Sequence, residues 1–140
     1  MQTFLPYKSF NESAQCLDYR RLGKQRIEAK QLLQILLSET DKKGWRNHPA
    51  LLMWKGYENS LAYYGMIICE EWIRRGYKDN QLDYFKERSN IDNVILPHWL
   101  DDNFTKSHRS NLLRKDKEFY SKYGWDVPDD LEYIWPTKIK

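Results

Sequence analysis

The sequence predicts an all-α protein, a compact single-domain helical bundle over residues 1–140. Three observations carry that prediction. Two long segments repeat apolar residues at three- and four-residue steps, the spacing of one helix face. Gly 6 and Pro 5 are too few for a turn-rich β-sandwich or a disordered chain. "NVIL", residues 93–96, is the one candidate strand, and a single strand cannot make a sheet. A chain of 140 residues buries one core without staples.

The elements follow in order. "SFNESAQCLDYRRLGKQRIEAKQLLQILLSE", residues 9–39, reads as one long helix strained near Gly23. Ser9 and Glu12 form an S-x-x-E capping box at its start, with Asn11 as a competing N-cap. "TDKKGWRN" is a connection. Pro49 suits the first position of a second helix, which puts His48 at its N-cap. That helix runs to about Arg75 through Ala50, Trp54, Tyr57, Leu61, Tyr64, Ile68 and Trp72, and Gly76 closes it. "NQLDYFKER" is a short amphipathic piece, and Pro97 opens a helical turn around "HWLDD". "FTKSHRSNLLRKD" forms a further helix and "KEFYSKY" a short one. The tail "VPDDLEYIWPTKIK" is extended and held by Tyr133 and Trp135.

The net charge of +3 is mild: it admits a polyanionic partner, but the placement of charge has to argue for one. Cys16 and Cys69 lack metal-ligand spacing and read as reduced, buried thiols, hence a soluble, cytoplasmic protein. "MQTFLPYKSF" is no signal peptide, and no apolar run approaches the length of a membrane span. His48, His98 and His108 make no metal motif, so no metal or other cofactor is expected. P-loop, dinucleotide-binding and nucleophile-elbow motifs are also missing. The oligomeric state is open, with a monomer favoured.

The first helix carries an unusual polar stripe. At 100° per residue from Asp18, Leu22, Gln25, Ala29, Leu32 and Leu36 fall within 40° of it. Arg21 and Glu28 lie along one shoulder and Arg26 along the other. A buried carboxylate and amide need partners. Either Asp18 pairs with an arginine and Gln25 bonds backbone, or this end of the helix lines a ligand pocket. Arg20 and Lys24 lie on the far face, as an ordinary charged surface or as phosphate contacts.

Two further clusters are candidates. In "GWRNHP", Trp45, Arg46, Asn47 and His48 precede a helix N-terminus, which suits anions, and His48 could serve as acid or base near neutral pH. In "SHRSNLLRKD", His108, Asn111 and Lys115 share one polar face flanked by Arg109 and Arg114, with aromatics near in sequence. That mixture suits phosphate contact with base stacking.

The segments "LDYRRLGKQRIEA", "GWRNHPALLMWKGYE", "EEWIRRGY", "SHRSNLLRKDKEFY" and "IWP" resemble those of small bacterial and phage proteins akin to pyrimidine-dimer DNA glycosylases of the endonuclease V type. The resemblance implies an all-α fold with the chain's N-terminus at the active site. There an α-amine attacks the sugar and forms a Schiff base, a glutamate on the first helix supports the chemistry, and an arginine contacts phosphate. Carried over by position, the arginine is Arg20, while Arg21 stands where the glutamate is expected. Gln2 is bulky, which makes the Met1 amine the expected nucleophile and Asp18 the candidate replacement acid.

Two functions follow as expectations. One is a DNA N-glycosylase for damaged or modified pyrimidines, with or without AP-lyase activity, using Met1, Asp18, Arg21 and His48 for chemistry. The other is a non-catalytic binder of nucleic acid or of a small phosphorylated nucleotide on the same scaffold. Arg20, Lys24, Gln25, Arg26, Trp45, Arg46, Asn47, His108, Arg109, Asn111, Arg114 and Lys115 are the binding candidates for either.

Overall fold

A computed structural model describes residues 2–40 and 47–136. It is all-helical: α1 (Phe10–Cys16), α2 (Tyr19–Leu36), α3 (Pro49–Trp54), α4 (Glu58–Arg74), α5 (Leu82–Arg88), α6 (Asp102–Lys115) and α7 (Lys117–Tyr120). There is no strand among the described residues; Ile91–Asn93 is a 3-10 turn that takes in the first residue of "NVIL", and Val94 leaves it in extended conformation. The residues from 124 to 136 are non-helical, as expected of the tail.

Both long helices of the sequence reading are broken, each for a local reason. Leu17 and Asp18 are extended (ψ 140° and 158°), and the Asp18 carboxylate accepts the Arg21 N–H, so Asp18 is the N-cap of α2 rather than part of its face. An aspartate competes for nearby backbone donors, and here that competition ends one helix and starts the next. Gly56, at φ +90°, turns the chain between α3 and α4, a conformation only glycine adopts without strain. Elsewhere the end signals hold. Ser9 Oγ accepts the Glu12 N–H, His48 Nδ1 accepts the Ala50 N–H at 3.1 Å, and Gly76 (φ +95°) follows α4.

The core gathers on α4, which packs against α1, α2 and α5. Trp54, Tyr64, Phe85, Phe104 and Tyr120 are fully buried there. Leu22, Gln25, Ala29 and Leu32 are buried as the stripe required, while Leu36 is half-buried at the end of α2. Gly65 lets α5 approach α4: a Cβ at this position would lie 2.2 Å from Phe85 Cε1. Gly65→Ala is therefore expected to destabilise the protein by roughly 1–3 kcal/mol, the clash outweighing its better helix propensity. Urea denaturation measures this, and Phe85→Leu in the same background should recover part of the loss.

The N-terminal segment positions the site. Thr3, Phe4, Leu5 and Pro6 are buried in an extended strap that runs past α2, α4 and α6. Burying Phe4 and Leu5 contributes roughly 1.5–3 kcal/mol each, more than the ~1 kcal/mol of a single hydrogen bond. Apolar burial therefore holds the strap, and its hydrogen bonds set the register.

Candidate functional site

Each strap residue has a partner. The Leu5 N–H donates to His108 Nδ1 (2.9 Å), Trp54 Nε1 to Thr3 Oγ1 (3.0 Å) and Arg109 to the Pro6 carbonyl (2.8 Å). Gln25 Nε2 donates to the Gln2 carbonyl (2.9 Å), while Gln25 Oε1 accepts the Phe4 N–H (3.2 Å). The Tyr64 hydroxyl lies 2.6 Å from Gln25 Oε1 and 2.9 Å from the Phe4 carbonyl, two acceptors for its one proton. Burial pushes that phenol well above its ordinary range, so it remains a neutral donor. At the end of the strap the Gln2 N–H donates to Glu28 Oε2 at 3.0 Å, and Lys24 Nζ stands 3.6 Å from Glu28 Oε1. The backbone of Gln2 is thereby set against a buried carboxylate.

Of these groups Gln2, Phe4, Lys24, Gln25 and Glu28 line a cleft of about 610 Å³ between the strap, α2 and the α6–α7 junction. Arg20, Arg21, Lys24 and Lys115 supply its positive charge, Asp18, Glu28 and Asp116 its carboxylates, and Tyr19 and Phe119 its rings. Lys24 and Arg20 are exposed, whereas Asp18 and Glu28 are buried. The arrangement is a cationic rim around recessed acids, suited to holding a phosphate backbone while the acids meet what lies between the phosphates.

Asp18 belongs to both alternatives that the stripe left open. Its carboxylate accepts from the Tyr120 hydroxyl, the Arg21 N–H and the Arg21 guanidinium (3.1 Å), and it also borders the cleft. Burial alone would raise this carboxyl, but the Tyr120 and Arg21 bonds outweigh it and hold the group below its ordinary value. Asp18 is thus a satisfied anion that aims Arg21. Gln25 likewise bonds backbone and faces the cleft.

The other sequence candidates separate clearly. Arg26 pairs with Asp79 at 2.5 Å and lies over the Trp72 ring, outside the cleft lining. Of the "SHRSNLLRKD" segment Lys115 and Asp116 reach the cleft, Lys115 being the one binding candidate among them. The expected polar face of His108 and Asn111 is buried instead, because His108 receives the strap and packs against Phe104 and Tyr133. Arg109 holds the strap, and Arg114 binds the Asp129 and Leu131 carbonyls of the tail and the Asn111 side chain. Asn47 is exposed. His48 is half-buried with its Nδ1 used for capping, and α3 has only six residues. Burial lowers the His48 imidazole below its ordinary value; the amino-terminal charge lowers it further and Glu28 opposes both. Met1, Trp45 and Arg46 lie outside the described residues.

A family model described as pyrimidine dimer DNA glycosylase matches residues 1–85 of the 140, more than half of the chain. The chain belongs to that family. Membership carries a DNA glycosylase-type role and a DNA substrate. No curated protein and no solved structure matches the chain. The span matched by the pyrimidine dimer DNA glycosylase model takes in the strap and every cleft residue from Gln2 to Glu28, while Lys115, Asp116 and Phe119 lie beyond it.

Among the cleft residues that sequence reasoning did not single out in this pyrimidine dimer DNA glycosylase family member is a recessed carboxylate, Glu28. Arg21 and Glu28 are seven residues apart, two turns along one face of α2. A carboxylate is therefore present on the same face as the position where the family resemblance expects a glutamate. The available signal was the grouping of Arg21, Lys24, Gln25 and Glu28 at three- and four-residue steps. Among the described residues no cluster of His, Cys, Asp or Glu is arranged to hold a metal, and no helix is long and apolar enough to cross a membrane.

Proposed function

We propose that this protein is a DNA N-glycosylase for damaged pyrimidines in which the chain's α-amine is the nucleophile and Glu28 the supporting carboxylate. The observation that carries the reading is the 3.0 Å hydrogen bond from the Gln2 backbone amide to Glu28 Oε2, Gln2 being the residue next to Met1 in the sequence. The amine nitrogen bonds to the sugar C1′ as the C1′–base bond breaks, and the base leaves with a proton. Ring opening gives a protonated imine, whose positive charge a carboxylate beside it stabilises. Loss of a C2′ proton then eliminates the 3′-phosphate as a lyase would, while hydrolysis of the imine returns the amine. Arg20, Arg21, Lys24 and Lys115 hold phosphates on either side of the reacting nucleotide. Free, buried Cys16 and Cys69 suit the reducing compartment where such a substrate lies.

The test is borohydride trapping on a duplex carrying one cyclobutane pyrimidine dimer and on a duplex carrying one abasic site. The expected result is a covalent protein–DNA adduct with both, carried on the N-terminal peptide. Intact mass before and after trapping identifies the residue that bears the amine. The binder reading retains one specific observation, the cation Arg21 where an acid is expected. It predicts no adduct with either duplex, and a raised unfolding temperature with nucleotides but not with duplex DNA.

A further inference from the structure

The cations of the cleft are not held alike. The Lys24 side chain is 75% exposed and Arg20 and Lys115 are exposed as well, whereas that of Arg21 is 25% exposed and already paired. Its Nη1 donates to Asp18 Oδ1 at 3.1 Å. Its Nε–H and Nη2 have no partner among the described residues, and those two nitrogens share the guanidinium edge that forks onto a phosphate. The other carboxylates of the cleft are engaged elsewhere. Asp116 Oδ1 accepts the Phe119 N–H at 3.2 Å, and Glu28 Oε2 accepts the Gln2 N–H.

Asp18 is in turn fixed from behind. The Tyr120 hydroxyl accepts the Asp18 N–H (3.1 Å) and donates to Asp18 Oδ1, the same oxygen that takes Arg21. One phenol therefore sets both the backbone and the side chain of Asp18 at the start of α2. Tyr120 is itself fully buried and stacks on Trp125 at 5.7 Å, and Tyr123 beside it donates to the Cys16 carbonyl at 2.9 Å. These rings grip the break between α1 and α2 from more than a hundred residues away, outside the span 1–85 that matches the family model. A long exposed side chain gives up its rotamer freedom when it binds, whereas a guanidinium already set in place gives up little.

We propose that Arg21 is the bidentate phosphate contact that sets the register of DNA in the cleft, and that Tyr120, acting through Asp18, is its positioning residue. The inference rests on the DNA glycosylase reading of the cleft. It adds which cation places the strand and what aims that cation.

Fluorescence anisotropy over a salt series tests it with a labelled duplex carrying one tetrahydrofuran abasic residue, which binds without reacting. Arg21→Gln is expected to weaken binding about tenfold at fixed salt. It should also lower the slope of log affinity against log salt by ~0.9, the share of one phosphate contact. Tyr120→Phe removes only the hydroxyl and is expected to weaken binding about three- to tenfold, lowering the slope in the same direction. In the double variant Tyr120→Phe adds nothing to the loss from Arg21→Gln, because both break one chain of contacts. Multiplied losses make Tyr120 a structural residue and overturn its positioning role. An unchanged slope in Arg21→Gln overturns the phosphate contact. Asp18→Asn breaks the same chain at its middle link and must repeat the Tyr120→Phe pattern; if it does not, the proposal falls even where circular dichroism shows Tyr120→Phe unfolded. No binding by the wild type at low salt overturns the glycosylase reading as well. Binding that follows the expected pattern with no adduct in the borohydride experiment upholds this proposal and overturns that reading's chemistry alone.

Discussion

Glu28→Gln is expected to slow formation of the trapped adduct by about 10²- to 10⁴-fold, the range that a positioned acid–base group supplies. The substitution suits the question because the amide keeps an oxygen where Oε2 accepts the Gln2 N–H, so the strap stays in register. Only the charge and the capacity to take a proton are lost. Asp18→Asn is the matched comparison. Asparagine caps a helix about as well as aspartate, so α2 still starts at Tyr19. The pairing with Arg21 weakens, and activity is expected to fall by less than about tenfold, the scale of one partly buried charge contact away from the reacting atoms. Trapping kinetics on the abasic duplex decide between the two. If Asp18→Asn matches the loss expected of Glu28→Gln while Glu28→Gln is silent, Asp18 is the working acid and Glu28 a strap clamp.

The second large effect is on acid stability, and it acts through His108. This imidazole is completely enclosed, and burial pushes its pKa down to about 3. Its Nδ1 accepts the Leu5 N–H, so the neutral ring carries its proton on Nε2. In the unfolded chain a histidine titrates near 6.5. Between pH 6.5 and about 3 the unfolded chain therefore binds a proton that the folded protein refuses, and stability falls as pH falls. The slope approaches ~1.4 kcal/mol per pH unit once the unfolded imidazole is fully protonated.

His48 is lowered as well and acts in the same direction over the top of this range. The depressed carboxyls of Asp18, Glu39 and Glu71 add their own losses, but these begin near pH 4.5 and extend below it. Urea unfolding of the wild type and of His108→Gln between pH 6.5 and 4.5 isolates the histidine. Most of the slope should vanish in the variant, whatever its absolute stability; an unchanged slope places the titration elsewhere. The same proton bears on function, because a charged His108 can no longer accept the Leu5 N–H that helps seat the strap beside Glu28.

Local patterns carried much of this protein. The three- and four-residue apolar spacing announced the buried face of α2, and Pro49 after His48 announced the start of α3. Both were legible because helix periodicity and capping act over four residues or fewer. The same rules overran where a short-range competitor intervened. Periodicity alone carried the first helix through Leu17 and Asp18, where the aspartate takes a backbone N–H for itself, and carried the next through Gly56. The polar stripe was correctly marked as costly, and its groups proved both mutually satisfied and turned toward a cleft.

By itself the sequence determined the all-helical class, the family, and the positions on α2 that must find polar partners, since each follows from motif or short-range spacing. Only the tertiary structure decided that Glu28 meets Gln2, 26 residues away, and that His108 is a buried seat for Leu5, 103 residues away, rather than a ligand contact. It also brought Lys115 to the cleft that Lys24 lines and set Tyr19 against Tyr77. Such pairings come from how the strap and helices bury their apolar surface together, and no local pattern encodes which distant polar groups that burial brings within a hydrogen bond of each other.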